Sequence, residues 1–112
     1  MEEKRIIHNV PVKTPVAAVS LIKTEEGGII SKILAQNPAV SITLFSFSKG
    51  QEISEHESEG DAFVQVLEGT GTFRIDGTEY AVKAGDCLLM PHDHPHAVLA
   101  REDFKMLLTV VF

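Results

Sequence analysis

The sequence has a single cysteine, no long apolar run and no cluster of basic residues, and each shortage excludes something. A lone Cys87 cannot form an intrachain disulfide, which excludes a disulfide-stapled scaffold and fits a reducing compartment. The longest apolar stretch, residues 106–112, is interrupted by Thr109 and is far shorter than the roughly 20 residues that cross a bilayer. It reads as a strand buried on both faces. The 10 Lys and Arg residues are dispersed from Lys4 to Lys105 among 16 Asp and Glu, for a net charge of −6. Phosphate backbones are bound by clustered cations, so no nucleic acid partner is expected. After Met1-Glu2-Glu3-Lys4-Arg5 only Ile6 and Ile7 precede His8, which leaves no apolar core for a signal peptide. A cytoplasmic location with no membrane partner follows as the expectation.

Helix punctuation is scarce as well. Five prolines and eight glycines separate short runs rich in Val, Ile, Thr and Phe, the composition of many strands joined by tight turns. Pro11 and Pro15 block a continuous helix and suggest extended chain over residues 16–22. Residues 25–28 form a turn, 29–35 a strand by their β-branched content, and Asn37-Pro38 ends it. Val40, Ile42, Leu44, Phe45 and Phe47 are set among Ser and Thr in a further strand. The polar run 55–61 then leads into the apolar strand 62–67, a natural rim for a pocket. Glu68-Gly69-Thr70-Gly71 and Asp76-Gly77 read as hairpin turns on either side of 72–75. Ala84-Gly85-Asp86 turns into 87–90, which Pro91 stops before a histidine-rich corner.

This spacing predicts an all-β sandwich or barrel in one domain, 1–112, because no linker interrupts a chain of ordinary globular composition. Phe45, Phe47, Phe63, Val64, Val66, Leu89 and 106–112 are the expected core, with Cys87 as a small buried apolar residue.

Two stretches resemble the cupin family. Gly50, His56 and Gly69 fall on the pattern G-x5-H-x-H-x3,4-E-x6-G, and Gly85, Pro91 and His96 on G-x5-P-x-G-x2-H-x3-N. The chain departs from these patterns at Ser58, Ala62, Asp93 and Ala100, which stand where the second histidine, the glutamate, a glycine and the final asparagine belong. The resemblance implies a double-stranded β-helix, or jelly-roll barrel, whose core is 39–112, with N-terminal strands in 1–38 that serve a homodimer.

The resemblance also implies a ligand site at His56 and His96. Residues two apart on a strand share a face, so His56, Ser58 and Ala62 are expected to look inward, with His96 approaching from another strand. Only two of the family's four metal-binding positions keep a ligand, whereas a divalent transition metal (Fe, Mn, Ni or Zn) commonly takes three or four donors. Asp61, His92 and His94 are the nearby replacements; Asp61 would need a local bulge, and Pro95 breaks the alternation that would otherwise align His92, His94 and His96. Asp61 with both motif histidines would make the two-histidine, one-carboxylate set of non-haem iron oxygenases. Ser58 and Gln65 complete the expected pocket lining. The other acidic residues of the 52–61 run read as a solvated rim, and His8 as surface. Two function classes follow: a small-molecule binding or sensor module, which the missing ligands favour, or a metal-dependent oxygenase or isomerase acting on a small polar metabolite.

Overall fold

Along residues 61–66 polar and apolar side chains do not simply alternate, yet backbone pleating sends Ala62, Val64 and Val66 to one side and Asp61, Phe63 and Gln65 to the other. The computed structural model, which describes residues 4–112, buries the first three and leaves Phe63 37% exposed and Gln65 exposed. The described residues form nine strands: β1 (Ile29–Gln36), β2 (Val40–Phe47), β3 (Glu52–His56), β4 (Asp61–Glu68), β5 (Thr70–Ile75), β6 (Thr78–Lys83), β7 (Cys87–Met90), β8 (His96–Leu99) and β9 (Phe104–Val111). They form two antiparallel sheets, one ordered β1-β2-β9-β4-β7 and the other β3-β8-β5-β6. From β3 to β9 the chain crosses between the sheets five times, the winding of a jelly roll.

Two turns show how local chemistry sets this winding. Asp76 and Gly77 both have positive φ, 50° and 83°, which matches the right-handed twist of the β5–β6 hairpin as expected. Gly69, in contrast, is not a hairpin turn. It is the corner where the chain leaves one sheet for the other, with φ 71°, and a Cβ there would stand 2.3 Å from the Asp103 carbonyl oxygen. Only glycine fits that approach.

The inner faces enclose a core in which Phe47 stacks on Phe104 at 4.7 Å between centroids and Phe73 meets Phe104 edge-on at 6.1 Å. A second apolar layer lies outside the larger sheet, where Ile22, Leu34 and Leu44 pack with Val10, Leu21 and Leu107. The segment before β1 is thereby laid over the sheet. Its extended course is broken at Ala18–Leu21 by a turn of 3-10 helix, a correction to the extended reading of 16–22. Lys105 Nζ donates to the Val19 carbonyl at 2.8 Å and Lys32 Nζ to that of Leu21, so two ammonium groups satisfy carbonyls that the short helix leaves open.

Of the expected N-terminal strands, β1 alone is a strand among the described residues of 1–38. Met1, Glu2 and Glu3, on which the reading of the leader partly rests, lie outside the described residues. Leu89, Val111 and Phe112 are more than half exposed, and Cys87 is exposed rather than buried. For Leu89, Val111 and Cys87 the cause is common: the N-terminal segment packs on only part of the outer face, and these outward positions of β7 and β9 lie beyond it, while Phe112 follows the end of β9. Among the described residues no helix is long and apolar enough to cross a membrane.

Candidate functional site

On β3, Ile53 faces the core opposite Val98 of β8, and strict alternation from there would turn His56 outward. A bulge prevents this. Ser54 and Glu55 together oppose Ala97, the register shifts by one, and His56 comes to lie directly across from His96. The two imidazoles meet edge to face with centroids 4.3 Å apart and an interplanar angle of 65°.

Both rings are held by the backbone two residues earlier. His56 Nδ1 is 2.9 Å from the Ser54 carbonyl oxygen and His96 Nδ1 is 3.1 Å from that of His94. A carbonyl only accepts, so Nδ1 is the protonated nitrogen of each ring and Nε2 carries the lone pair of the neutral form. No group among the described residues hydrogen-bonds Nε2 of either ring. His96 is 3% exposed, and burial, the largest influence, holds its pKa below the ordinary imidazole range; the His94 carbonyl works against this and His56 adds to it.

The two histidines stand at one end of a cavity of about 140 Å³ inside the barrel. Ser58 and Ala62 border it too, as the spacing from His56 suggests. Phe45, Met90, Met106, Leu108 and Val110 line it from the larger sheet, Ile53 and Val98 from the smaller one. Ser58 Oγ accepts the Gly60 N–H at 3.2 Å. Sequence reasoning missed Ile53, Met90 and Val98 as lining residues. Met90 could have been found, since it precedes the motif proline Pro91 and pairs with Ala62.

The other expected donors are elsewhere. Asp61 lies on the opposite side of β4 from Ala62, and its Oδ1 accepts from both the backbone N–H and Nδ1 of His92, each at 2.9 Å. The backbone N–H of His92, then its ring, hold the Asp61 carboxyl below its usual range, and the same carboxylate raises His92. His94 Nδ1 donates to Asp76 Oδ2 at 2.6 Å. Both pairs are about half exposed on the rim and tie the corner between β7 and β8 to one sheet each. Gln65 looks outward beside Cys87. Asp61, His92, His94 and Gln65 are therefore not brought together with His56 and His96, because β4 keeps regular register at Asp61 and Ala62 and no bulge turns Asp61 inward.

Two imidazoles and one hydroxyl do not make a metal centre of ordinary donor number. Among the described residues no third His, Cys, Asp or Glu joins them. The donor set does not fit a resident divalent metal. It fits a polar pole in an otherwise apolar pocket.

A family model described as Cupin domain matches residues 43–112. Over 98% of its length the chain is similar to a conserved protein of unknown function from Streptococcus pyogenes, with 37% identity, 96% of that chain covered and a TM-score of 0.95. A cupin superfamily protein from Desulfitobacterium hafniense shares 33% identity over 95% of this chain and 97% of that one, with a TM-score of 0.90. Salicylate 1,2-dioxygenase from Pseudoaminobacter salicylatoxidans is 18% identical over 83% of this chain and 27% of that one, with a TM-score of 0.70, a likeness of fold alone. No curated protein matches the sequence.

Proposed function

The chain belongs to the cupin family, and on that premise we propose that it is a small-molecule binding or sensor module whose ligand occupies the barrel cavity. Cupins often bind transition metals, and dioxygenases share the fold. The observation that carries a binding reading for this chain is the composition of the cavity: among the described residues, eight apolar ones border about 140 Å³ together with only His56, His96 and Ser58 as polar groups. An apolar space with a few convergent polar groups is the usual form of a ligand site. The alternative, a metal-dependent oxygenase or isomerase, draws support from the two Nδ1 atoms held by carbonyls, an arrangement that frees Nε2 for a metal.

Two measurements decide between these. Methyl resonances of Met90 and Met106, which border the cavity, are expected to shift on titration with small aromatic molecules. Metal analysis of untagged protein is expected to find well under one iron, manganese, nickel or zinc per chain. Near-stoichiometric metal, with no methyl shifts, would reverse the choice.

The domain is read as one unit, 1–112, acting as a homodimer. Phe63, Leu89 and Val111 are exposed on adjoining strands of the larger sheet, the kind of apolar patch that a second copy covers. A molecular mass near twice 12.2 kDa at micromolar concentration is the expected result, and a monomer mass would refute it.

A further inference from the structure

The polar end of the cavity specifies the kind of molecule that fits it. Among the described residues no Lys or Arg lines the cavity, so none of them brings a permanent positive charge to neutralise a carboxylate or phosphate. Its volume of about 140 Å³ is close to that of an engineered apolar cavity, about 150 Å³, that accepts benzene. The part of a ligand held inside is therefore roughly the size of one six-membered ring with a small substituent.

Hydrogen bonding narrows the class again. His96 is buried, its Nδ1–H is donated to the His94 carbonyl, and among the described residues its Nε2 has no partner. A purely apolar ligand would leave that acceptor sealed and unpaired, whereas an O–H would satisfy it. Ser58 offers the converse group. Its Oγ accepts from the Gly60 N–H, so its own hydrogen is free to point at a ligand oxygen. A hydroxyl both donates and accepts, so it can pair with the acceptor on His96 and still accept from a neighbouring donor.

We propose that the cavity takes a small neutral hydroxyl compound of phenol size, its apolar body against Phe45, Met106 and Val110 and its O–H donated to Nε2 of His96. This rests on the reading of the barrel as a small-molecule binder and adds the ligand class to it. His56, at the exposed mouth, meets water or the ligand edge, and its contribution is smaller.

The test is calorimetric titration of the untagged full chain, freed of metal with a chelator, using phenol, toluene and benzoate as probes of nearly one size. Phenol is expected to bind at least about tenfold more tightly than toluene, the worth of one buried hydrogen bond, and benzoate more weakly than phenol. His96→Leu should bring phenol down to the level of toluene while toluene still binds. Nitrogen–proton correlations of the His96 imidazole should keep the proton on Nδ1 in the phenol complex. Should that variant fail to fold, the ranking of the three probes on the native chain still decides. Toluene or benzoate binding as tightly as phenol would overturn the proposed class and leave the binding reading standing. Failure of all three probes would overturn both. Phenol binding that appears only after zinc or manganese is added would overturn the proposal by giving Nε2 to a metal.

Discussion

Ala62→Leu is expected to stabilise the protein and to abolish ligand binding in one step. Ala62 is 2% exposed on the inner side of β4, directly across from Met90 on β7 and Val110 on β9, and all three border the cavity. Leucine adds three carbon groups, and at about 0.8 kcal/mol for each one buried the transfer gain is about 2.4 kcal/mol. Ordering the leucine side chain costs about 0.5–1 kcal/mol. The remainder, about 1.5 kcal/mol, corresponds to a rise in Tm of roughly 5 °C for a domain of this size. Urea and thermal unfolding followed by far-UV circular dichroism measure the stability, and titration with toluene measures the loss of space. The magnitude depends on the cavity being reachable from Ala62. Had the neighbouring wall been filled, the added carbons would overpack it and cost about 1–3 kcal/mol instead. A destabilised variant that still binds toluene would refute the reasoning.

Four further outcomes follow from the same geometry. Ala62→Glu places a carboxylate on the cavity wall with His56 and His96; without metal it is expected to lose about 2 kcal/mol or more, and added zinc or nickel should raise its Tm while leaving the native chain unmoved. The His92 imidazole should titrate above its ordinary midpoint of about 6.5 by proton NMR, and Asp61→Asn should bring it down. The attraction in that pair needs an ionised Asp61 and a protonated His92: it is complete between the ordinary carboxylate and imidazole ranges, fades as pH rises through the raised His92 value, and fades as pH falls through the lowered Asp61 value. Gly71→Ala should cost about 1–3 kcal/mol in urea unfolding, since its Cβ would stand 2.6 Å from one ring carbon of Phe104 and 2.9 Å from a ring carbon of Phe73. Lys105→Met removes the donor to the Val19 carbonyl and should cost about 1–2 kcal/mol, with faster proteolysis of the segment before β1; unchanged cleavage would count against the clamp.

What could be read from the sequence, and what could not, divides along the range of the interactions concerned. The strands and the Asp76-Gly77 hairpin were legible because alternation and turn chemistry act between near neighbours. Gly69 was misread as a hairpin for the same reason: a positive-φ glycine between apolar runs looks alike whether the chain turns back on its own strand or crosses to another sheet. The choice is made far away, where β4 pairs with β9 and β7 rather than with β5. Phe63 and Leu89 were assigned to the core on hydrophobicity, yet they occupy outward positions on neighbouring strands, and alternation from Ala62 and Met90 would have placed them there.

The histidines carry the argument one step further. Motif spacing put His56 and His96 together although simple alternation from Ile53 would have separated them, so the spacing already encoded the bulge at Ser54 and Glu55. Asp61 was expected to use a comparable bulge, but its strand is fixed on both sides, by Val111 on β9 and by the pairing of Ala62 with Met90 on β7. Slipping that register by one would drive Ala62, Val64 and Val66 out of the core and bring Phe63 and Gln65 in. Turning the carboxylate inward would also break both hydrogen bonds from His92. The register slip alone would expose three core side chains, and that holds Asp61 on the rim. The same constraint that keeps Asp61 on the rim leaves the small Ala62 facing the cavity, and the space beside it is the space a ligand would use.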